Sequence, residues 1–242
     1  MRIDHVTLTG ADDQTNARRL VNLLDHPNVE IGVLYSTRRL GSSRYPSSEW
    51  LRRFLVEPPP GSRLPTCRIA VHVCGSRNLE ALSQGVELPP FYWISVSRVQ
   101  FNGVKPRDYT PEFLAITQRH YPACIAQIDP GDAEPDVAFL TGYRSTLGFK
   151  RYPFNVLLDG SAGTGKTPER WILPPGLEDH RVGLAGGLRP ENLTDELKRI
   201  EDVVGDRRIW IDLESGLRDE RDRFSFARAE RCLEIAEPWF TT

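Results

Sequence analysis

The sequence lacks the features that mark membrane, zinc-binding or nucleic-acid-binding proteins. No uncharged stretch of its 242 residues approaches the roughly 20 residues that a membrane-spanning helix needs. The four cysteines form no C-x-x-C pair and no zinc-ligand spacing, so we predict no metal site and no cofactor. A formal net charge of -2 gives no electrostatic basis for binding nucleic acid or an anionic membrane. We therefore expect neither among its partners.

The first residues, MRIDHVTLTGADD, contain no apolar segment of signal-peptide length and include early acids. We expect a cytoplasmic, reducing setting, and a monomer or homodimer. With 39% hydrophobic and 26% charged residues the composition is that of an ordinary globular protein. The length suits one large α/β domain or two small ones.

Short apolar runs alternate with stretches of helical periodicity. Eight runs rich in Val, Ile and Leu predict buried strands, at 4–8, 29–34, 68–73, 97–101, 124–128, 155–158, 182–185 and 209–213. Five segments predict helices, at 14–24, 47–55, 111–120, 190–200 and 226–236. Asp12 and Asp13 are candidate caps of the first helix, and Ser48 of the second. The only stretch resembling a linker, at 57–65, is brief.

This alternation of strands and helices predicts a single α/β domain spanning residues 1–242. Eight strands favour a (β/α)₈ TIM barrel, with a doubly wound open sheet as the alternative. In a barrel, chemistry clusters where the strands end and the βα loops begin. Residues that directly follow a predicted strand are therefore the first candidates for a site.

One segment matches a nucleotide-binding motif letter for letter. Residues 160–167 read GSAGTGKT, which satisfies G-x-x-x-x-G-K-[ST]. A P-loop needs a substantial helix to open at its Lys-Thr end, but Pro174, Pro175 and Gly176 stop any such helix within about two turns. A P-loop nucleotide enzyme is therefore a remote alternative, and it predicts magnesium-dependent nucleotide binding that Lys166→Ala abolishes.

Two later strands lead into glycine-containing turns. VGLAGGLRPEN (182–192) carries Gly186 and Gly187, and IWIDLESGLRDE (209–220) carries Ser215 and Gly216. Glycines let backbone amides approach a phosphate closely, and the seventh and eighth βα loops are where barrels commonly bind phosphate. We therefore predict a phosphate site at these four residues.

The segments LLDGSAGTGKTPERW, LAGGLRPENL and IDLESGLRDE resemble the C-terminal half of phosphoribosylanthranilate isomerase, a (β/α)₈ barrel of the tryptophan pathway. GSSRYPS (41–47) and RVQFNG (98–103) resemble two upstream motifs of the same family, and stretches such as HVTLTGADD resemble a divergent bacterial branch of it. The resemblance is strongest over 154–217. It implies a phosphorylated sugar-type ligand and an Amadori rearrangement of an aminoaldose into an aminoketose.

The resemblance also assigns catalytic roles. The family's general acid falls on Asp159, a carboxylate that already qualifies as a candidate because it ends a buried strand; its alternative role is to cap the loop that follows. The family's base, the Cys of KICGIT, is replaced here by Thr7. Cys74 with His72, two residues apart on one strand face, could supply a base, or both could simply fill the barrel interior.

Five further residues are expected to contact substrate. Arg44 matches the arginine that meets the anthranilate part of the family's substrate. Asn102 replaces a family His and Glu214 a family Ser, Gln100 ends the fourth strand, and Asp212 is expected to point into the barrel mouth. The resulting hypothesis is an isomerase that uses Asp159. The alternative is a non-catalytic binding protein on the same barrel.

Overall fold

The computed structural model describes residues 1–55, 68–83, 96–120, 123–146, 154–161 and 164–241. All eight predicted strands are present: β1 (Arg2–Thr9), β2 (Val29–Tyr35), β3 (Ile69–Cys74), β4 (Arg98–Asn102), β5 (Cys124–Ile128), β6 (Asn155–Asp159), β7 (Val182–Ala185) and β8 (Arg208–Leu213). Each pairs in parallel with the next, and β8 pairs with β1, which closes the barrel. The predicted (β/α)₈ barrel is therefore confirmed.

The described residues contain seven α-helices: α1 (Ala17–Leu23), α2 (Ser48–Leu55), α3 (Ser76–Ser83), α4 (Pro111–His120), α5 (Glu134–Thr146), α6 (Leu193–Val204) and α7 (Phe226–Ala236). Five were predicted, whereas α3 and α5 were not. None of the helices in this part of the chain is long and apolar enough to cross a membrane. The linker-like stretch 57–65 and Cys67 lie outside the described residues.

The helix caps differ from those that the sequence suggested. α1 is capped by Asn16, whose side chain accepts a hydrogen bond from the backbone N of Arg19 at 3.0 Å. Asp12 and Asp13 do not cap α1, because tertiary contacts engage both: Arg218 donates to Asp12, and the backbone N of Ser47 donates to Asp13. In α2 the capping side chain is Ser47 rather than Ser48, since its Oγ accepts from the N of Trp50 at 3.2 Å.

The two faces of the strands have opposite character. Outward residues such as Val6, Val71 and Leu158 join one large apolar core with the surrounding helices. Inside the barrel the apolar part is small and consists of Ile125, Leu157 and Trp210, with Ala185 packed against it. Gly183 makes room for the indole of Trp210, because a Cβ there would lie 2.1 Å from that ring. Leu34 and Ala70 also face inward, because they alternate with outward residues, and most of the remaining interior side chains are polar.

A buried ion pair fills the interior below the mouth. Arg98 Nε donates to Glu30 Oε2 at 2.9 Å, and its guanidinium carbon lies 4.3 Å from the centroid of the Trp210 ring. Thr7 Oγ1 donates to Glu30 Oε1 at 2.9 Å. Burial by itself would raise the pKa of Glu30, but the charges of Arg98 and His5 lower it to about 2. Thr7 therefore belongs to a charged cluster in the barrel interior.

Candidate active site

Two carboxyl groups flank the end of the seventh strand. Asp159 on β6 pairs in register with Ala185 on β7, which pairs with Asp212 on β8. Neighbouring strands lie about 4.8 Å apart, so the two Asp Cα atoms are about 10 Å apart with only the Ala185 methyl between them. Both side chains line one cavity. The spacing leaves room for a small molecule between the carboxyl groups.

Among the described residues, Asp159 accepts hydrogen bonds from three donors. Gln127 Nε2 donates to its Oδ2 at 2.8 Å, while the backbone N and Oγ of Ser161 donate to its Oδ1 at 3.0 and 2.7 Å. A carboxylate that only accepts hydrogen bonds matches this set of partners. Both roles considered for Asp159 are therefore compatible, because it caps the loop after β6 and also lines the cavity.

Asp212 lies in a less polar setting. Thr9 Oγ1 donates to its Oδ1 at 2.8 Å, and His72 Nδ1 lies 3.8 Å from its Oδ2. Burial raises the pKa of Asp212 to about 8 and lowers that of His72 to about 4. At neutral pH both side chains are therefore uncharged. The cavity thus contains one carboxylate with three donors and one carboxyl group that retains its proton.

We expect Asp212→Asn to stabilise the protein at pH 7 to 8 by roughly 4–5 kcal/mol, because the pKa of Asp212 is raised from 3.8 to about 8. The folded state keeps a proton that the unfolded chain releases between about pH 4 and 8, so the wild type loses stability as the pH rises through this range. Asparagine does not titrate and can still accept from Thr9. Urea denaturation across pH 4 to 9 checks this, with the exposed Asp206→Asn as a control; an unchanged pH slope would contradict it.

The side chains proposed as an activated thiol and imidazole do not form such a pair. Cys74 Sγ lies 3.5 Å from the backbone carbonyl of His72 and accepts from Asn102 Nδ2 at 3.5 Å. The imidazole instead approaches Gln100, with 3.5 Å between His72 Nδ1 and Gln100 Nε2. Burial raises the pKa of the Cys74 thiol to about 11, so it stays protonated at neutral pH. Both residues do face the barrel interior.

The β1 residue at the mouth of the barrel is Thr9. The family resemblance had placed Thr7 at that position, as the replacement of the family's cysteine. Both face inward because they are two residues apart, but Thr9 lies nearer the carboxyl end of β1 and contacts Asp212. The sequence contains a signal for this assignment: Thr9 precedes Gly10, just as the cysteine precedes glycine in KICGIT. Neither threonine offers a thiolate.

The predicted phosphate residues come together at one end of the cavity. Gly186, Gly187, Ser215 and Gly216 all line it. Gly187 has a φ of 61°, and a Cβ there would lie 2.3 Å from the backbone N of Thr167, while a Cβ on Gly216 would lie 1.9 Å from the carbonyl oxygen of Leu188. The loops after β6, β7 and β8 therefore touch backbone to backbone, which only glycine allows.

The Gly-Lys-Thr motif lies in the loop after β6, as the resemblance implied. No helix follows it within the described residues 164–181, and the Lys166 side chain is exposed. A P-loop holds its phosphates at the start of such a helix, so the nucleotide-binding alternative lacks its structural basis. The Thr167 hydroxyl instead accepts from Asn192 Nδ2 at 3.0 Å, which joins this loop to the one after β7.

Arg44 reaches across the mouth from the loop after β2 to the loop after β8. Its Nη1 donates to Glu214 Oε1 and Ser215 Oγ, both at 3.1 Å, and its Nη2 donates to Asp222 Oδ1 at 3.0 Å. Burial alone would raise the pKa of Asp222, but hydrogen bonds from Ser43 and Arg44 hold it at about 2. Arg44 and Asp222 also share an unusual backbone, with φ values of 70° and 52°. Strain of this kind concentrates at functional sites.

The mouth has two connected lobes. The narrow lobe, of about 110 Å³, contains the glycine end with Asp212, His72 and Gln100. The wide lobe, of about 570 Å³, opens toward the loops after β2 to β5 and includes Tyr45, Cys74, Lys105 and Asp129. Both lobes share Asn102, Gln127, Asp159 and Glu214. In the described part of the chain, no group of three or more His, Cys, Asp or Glu is arranged to hold a metal ion.

The chain is thus a (β/α)₈ barrel with a polar, two-lobed mouth. The family model of N-(5'phosphoribosyl)anthranilate (PRA) isomerase matches residues 143–220. The phosphoribosyl anthranilate isomerase of Thermus thermophilus superimposes with a TM-score of 0.56 and 19% identity, over 97% of this chain and 98% of that chain. The enzyme of Thermococcus kodakaraensis gives a TM-score of 0.51 and 14% identity, over 96% and 98%.

No curated protein sequence gives a match. The resemblance inferred from the sequence is therefore confirmed, by the family model over the C-terminal part of the barrel and by the fold over nearly the whole chain.

Proposed function

We propose that this protein binds a phosphorylated, sugar-type small molecule in its mouth and catalyses an aldose–ketose isomerisation of the Amadori type. The observation that carries the proposal is the position of the two carboxyl groups: Asp159 and Asp212 flank Ala185, and Gly186 and Gly187 follow directly on the same strand. A sugar phosphate held at the glycines extends its carbon chain over Ala185, between an acid and a base.

The phosphate end is supported by backbone and charge. The glycines line one end of the cavity and let the loops after β6, β7 and β8 pack backbone to backbone there, because a Cβ on Gly187 or Gly216 would collide with a neighbouring loop. Arg44 Nη1 lies 3.1 Å from Ser215 Oγ, but the same guanidinium donates to Glu214 and Asp222, so a phosphate would share it with these two carboxylates. The backbone amides of the glycine turns are therefore the main donors offered to a phosphate at this end.

The proton transfers follow from the states of the two carboxyl groups. Asp212 carries a proton at neutral pH and can donate it to the ring oxygen, so that the C1–O bond breaks and a C1=N iminium forms. Asp159, as a carboxylate, can then remove the C2 proton to give an enolamine, which tautomerises to the ketosamine. This assignment reverses the acid role that the family resemblance gives to Asp159.

An assay with a simple model substrate tests the reaction. Ribose 5-phosphate and aniline condense spontaneously to a glycosylamine, and the enzyme is expected to convert it to 1-anilino-1-deoxyribulose 5-phosphate, observed by NMR. The second candidate, a non-catalytic binding protein, is favoured by one observation: Thr9 and a protonated Cys74 leave the mouth without a thiolate base. Tight binding of ribitol 5-phosphate with no conversion of the glycosylamine by the wild type would support that alternative.

We expect Gly187→Val to weaken binding of ribitol 5-phosphate at least tenfold, because a Cβ there collides with the backbone of Thr167 and displaces the glycine turn. Isothermal titration calorimetry measures the effect. Gly205→Val is the matched control: Gly205 has a similar φ of 59°, but a Cβ there meets nothing within 4 Å. Equal affinities in the two variants would argue against a phosphate site at this turn.

A further inference from the structure

The wide lobe is lined by acidic side chains. Asp129, Asp159 and Glu214 contribute carboxylates, and Lys105 is the one cation among the described residues that line it. Lys105 Nζ donates to Asp132 Oδ2 at 2.7 Å, and Arg107 donates to the same oxygen, so this ammonium is already engaged by a carboxylate outside the lobe. A ligand group that enters this lobe therefore meets a negative potential.

The cations at the rim of the lobe are also engaged. Arg44 donates to two carboxylates, Glu214 and Asp222, and to a hydroxyl. Arg39 lies with its guanidinium carbon 5.0 Å from the Tyr45 ring centroid, and its Nη1 donates to the Tyr45 hydroxyl at 3.1 Å. To bind a ligand carboxylate in the wide lobe, Arg44 would have to leave Glu214 and Asp222, and those two carboxylates would then repel the ligand.

A second observation indicates that the mouth is completed by a ligand. His72 Nε2 is buried and has no hydrogen-bond partner among the described residues, although the ring is only 1% exposed and lines the narrow lobe. Buried polar atoms are rarely left unpaired. Since Gln100 Nε2 approaches His72 Nδ1, the neutral ring carries its proton on Nε2, which makes this nitrogen a donor toward a ligand oxygen.

We propose that the substrate of this site carries a neutral or positively charged, donor-rich group at the end opposite its phosphate, such as a hydroxyalkyl or aminoalkyl amine, and not a carboxylate-bearing aromatic ring. The inference rests on the proposed function, because it takes the phosphate to lie at the glycine end. Hydroxyl and ammonium groups donate to the carboxylates of Asp129, Asp159 and Glu214. A carboxylate in the same place would be repelled by these three side chains, and the ammonium of Lys105 already donates to Asp132.

Four probes test the inference by calorimetry. They are ribitol 5-phosphate and its 1-amino-1-deoxy derivatives that carry on nitrogen a 2-aminoethyl, a phenyl or a 2-carboxyphenyl group. We expect the aminoethyl probe to bind at least tenfold more tightly than the carboxyphenyl probe, with the phenyl probe between them. The Asp129→Asn/Glu214→Gln double variant should reduce the ratio of aminoethyl-probe to carboxyphenyl-probe affinity at least threefold.

The outcomes are distinguishable. If ribitol 5-phosphate binds but the carboxyphenyl probe binds at least as tightly as the other two derivatives, this inference is overturned and the proposed phosphate site stands. The inference is also overturned if the double variant leaves the ratio unchanged, because the lining carboxylates then do not set the preference. If ribitol 5-phosphate itself fails to bind, the proposed function falls, and this inference falls with it.

Discussion

Asp159→Asn is expected to lower the rate of conversion of the ribose 5-phosphate–aniline glycosylamine by about 10²–10⁴-fold. A positioned general base contributes this much to a proton transfer, and asparagine cannot accept the C2 proton. The fold should be retained, because Asn keeps an oxygen that can accept from Ser161 and occupies the same volume. The initial rate of ketosamine formation, followed by NMR, measures the effect.

Gln127→Leu is the matched control for Asp159→Asn. It removes one donor to Asp159 but leaves the carboxylate in place, so we expect a smaller loss, of about tenfold or less. The affinity for ribitol 5-phosphate should stay within about threefold in both variants, because the phosphate lies at the glycine end. An Asp159→Asn protein with the wild-type rate would remove Asp159 from the chemistry.

The pH profile separates the two carboxyl groups. If Asp212 is the acid, the rate falls as the pH rises above about 8, because the proton is then lost from Asp212 before it can be donated. A rate that is level between pH 7 and 9 would instead leave Asp159 as the acid, as the family resemblance implies.

Arg98→Met is expected to lower the free energy of unfolding at pH 7 by about 3–5 kcal/mol, because it leaves the Glu30 carboxylate buried without its partner. The methionine fills much of the arginine's volume, so the lost stability reflects mainly the unpaired charge of Glu30 and not a cavity. Urea denaturation measures it. The double variant Glu30→Gln/Arg98→Met, which removes both charges, should recover most of the loss.

The pH dependence of the Arg98→Met effect has a definite sign. In the wild type the pKa of Glu30 is lowered from about 4.5 to about 2, so its stabilising contribution is complete above pH 4.5 and is lost as the pH falls toward 2. Without Arg98, burial favours the protonated form of Glu30, so the variant loses less stability than the wild type on acidification. The difference between the two proteins should therefore shrink as the pH falls from 7 to 3. A constant difference would contradict the assignment.

Much of the fold could be predicted because its signals are local. Runs such as CIAQI and NVLL are apolar, short and bounded by polar or turn residues, and each is a strand in the barrel. α5 was missed although Pro135 lies in its first turn, where the missing amide hydrogen is harmless. The caps of α1 and α2 were misassigned because Asp12 and Asp13 are drawn into contacts with residues distant in sequence, which local capping preferences do not reflect.

Site residues that directly follow a strand could be predicted from the sequence. Residues inside a strand were harder to assign, because their place depends on how far along the barrel axis the strand is positioned. Asp159, Asp212 and the glycine turns end strands, so their meeting at one mouth follows once the barrel closes. Gln127 was missed although it lies one residue before the end of its predicted strand, as Gln100 does, because only the contact with Asp159 identifies it. Thr7 was chosen over Thr9 because both lie on one face, and only the contacts with Glu30 and Asp212 show which lies at the mouth.

The sequence by itself determined the barrel fold, the end of the barrel at which the candidate site lies, and the resemblance to phosphoribosylanthranilate isomerase. All three depend on periodicity and short motifs, which are properties of residues that are neighbours in the sequence. Only the tertiary structure decided which side chains are charged and which are already engaged by a partner. Asp159 and Asp212 look alike in the sequence, but within the described residues Asp159 accepts from three donors, whereas Asp212 accepts from one and keeps its proton. Arg44 looks available, yet Glu214 and Asp222 engage it. Burial and charge balance depend on residues that are remote in sequence and adjacent in space.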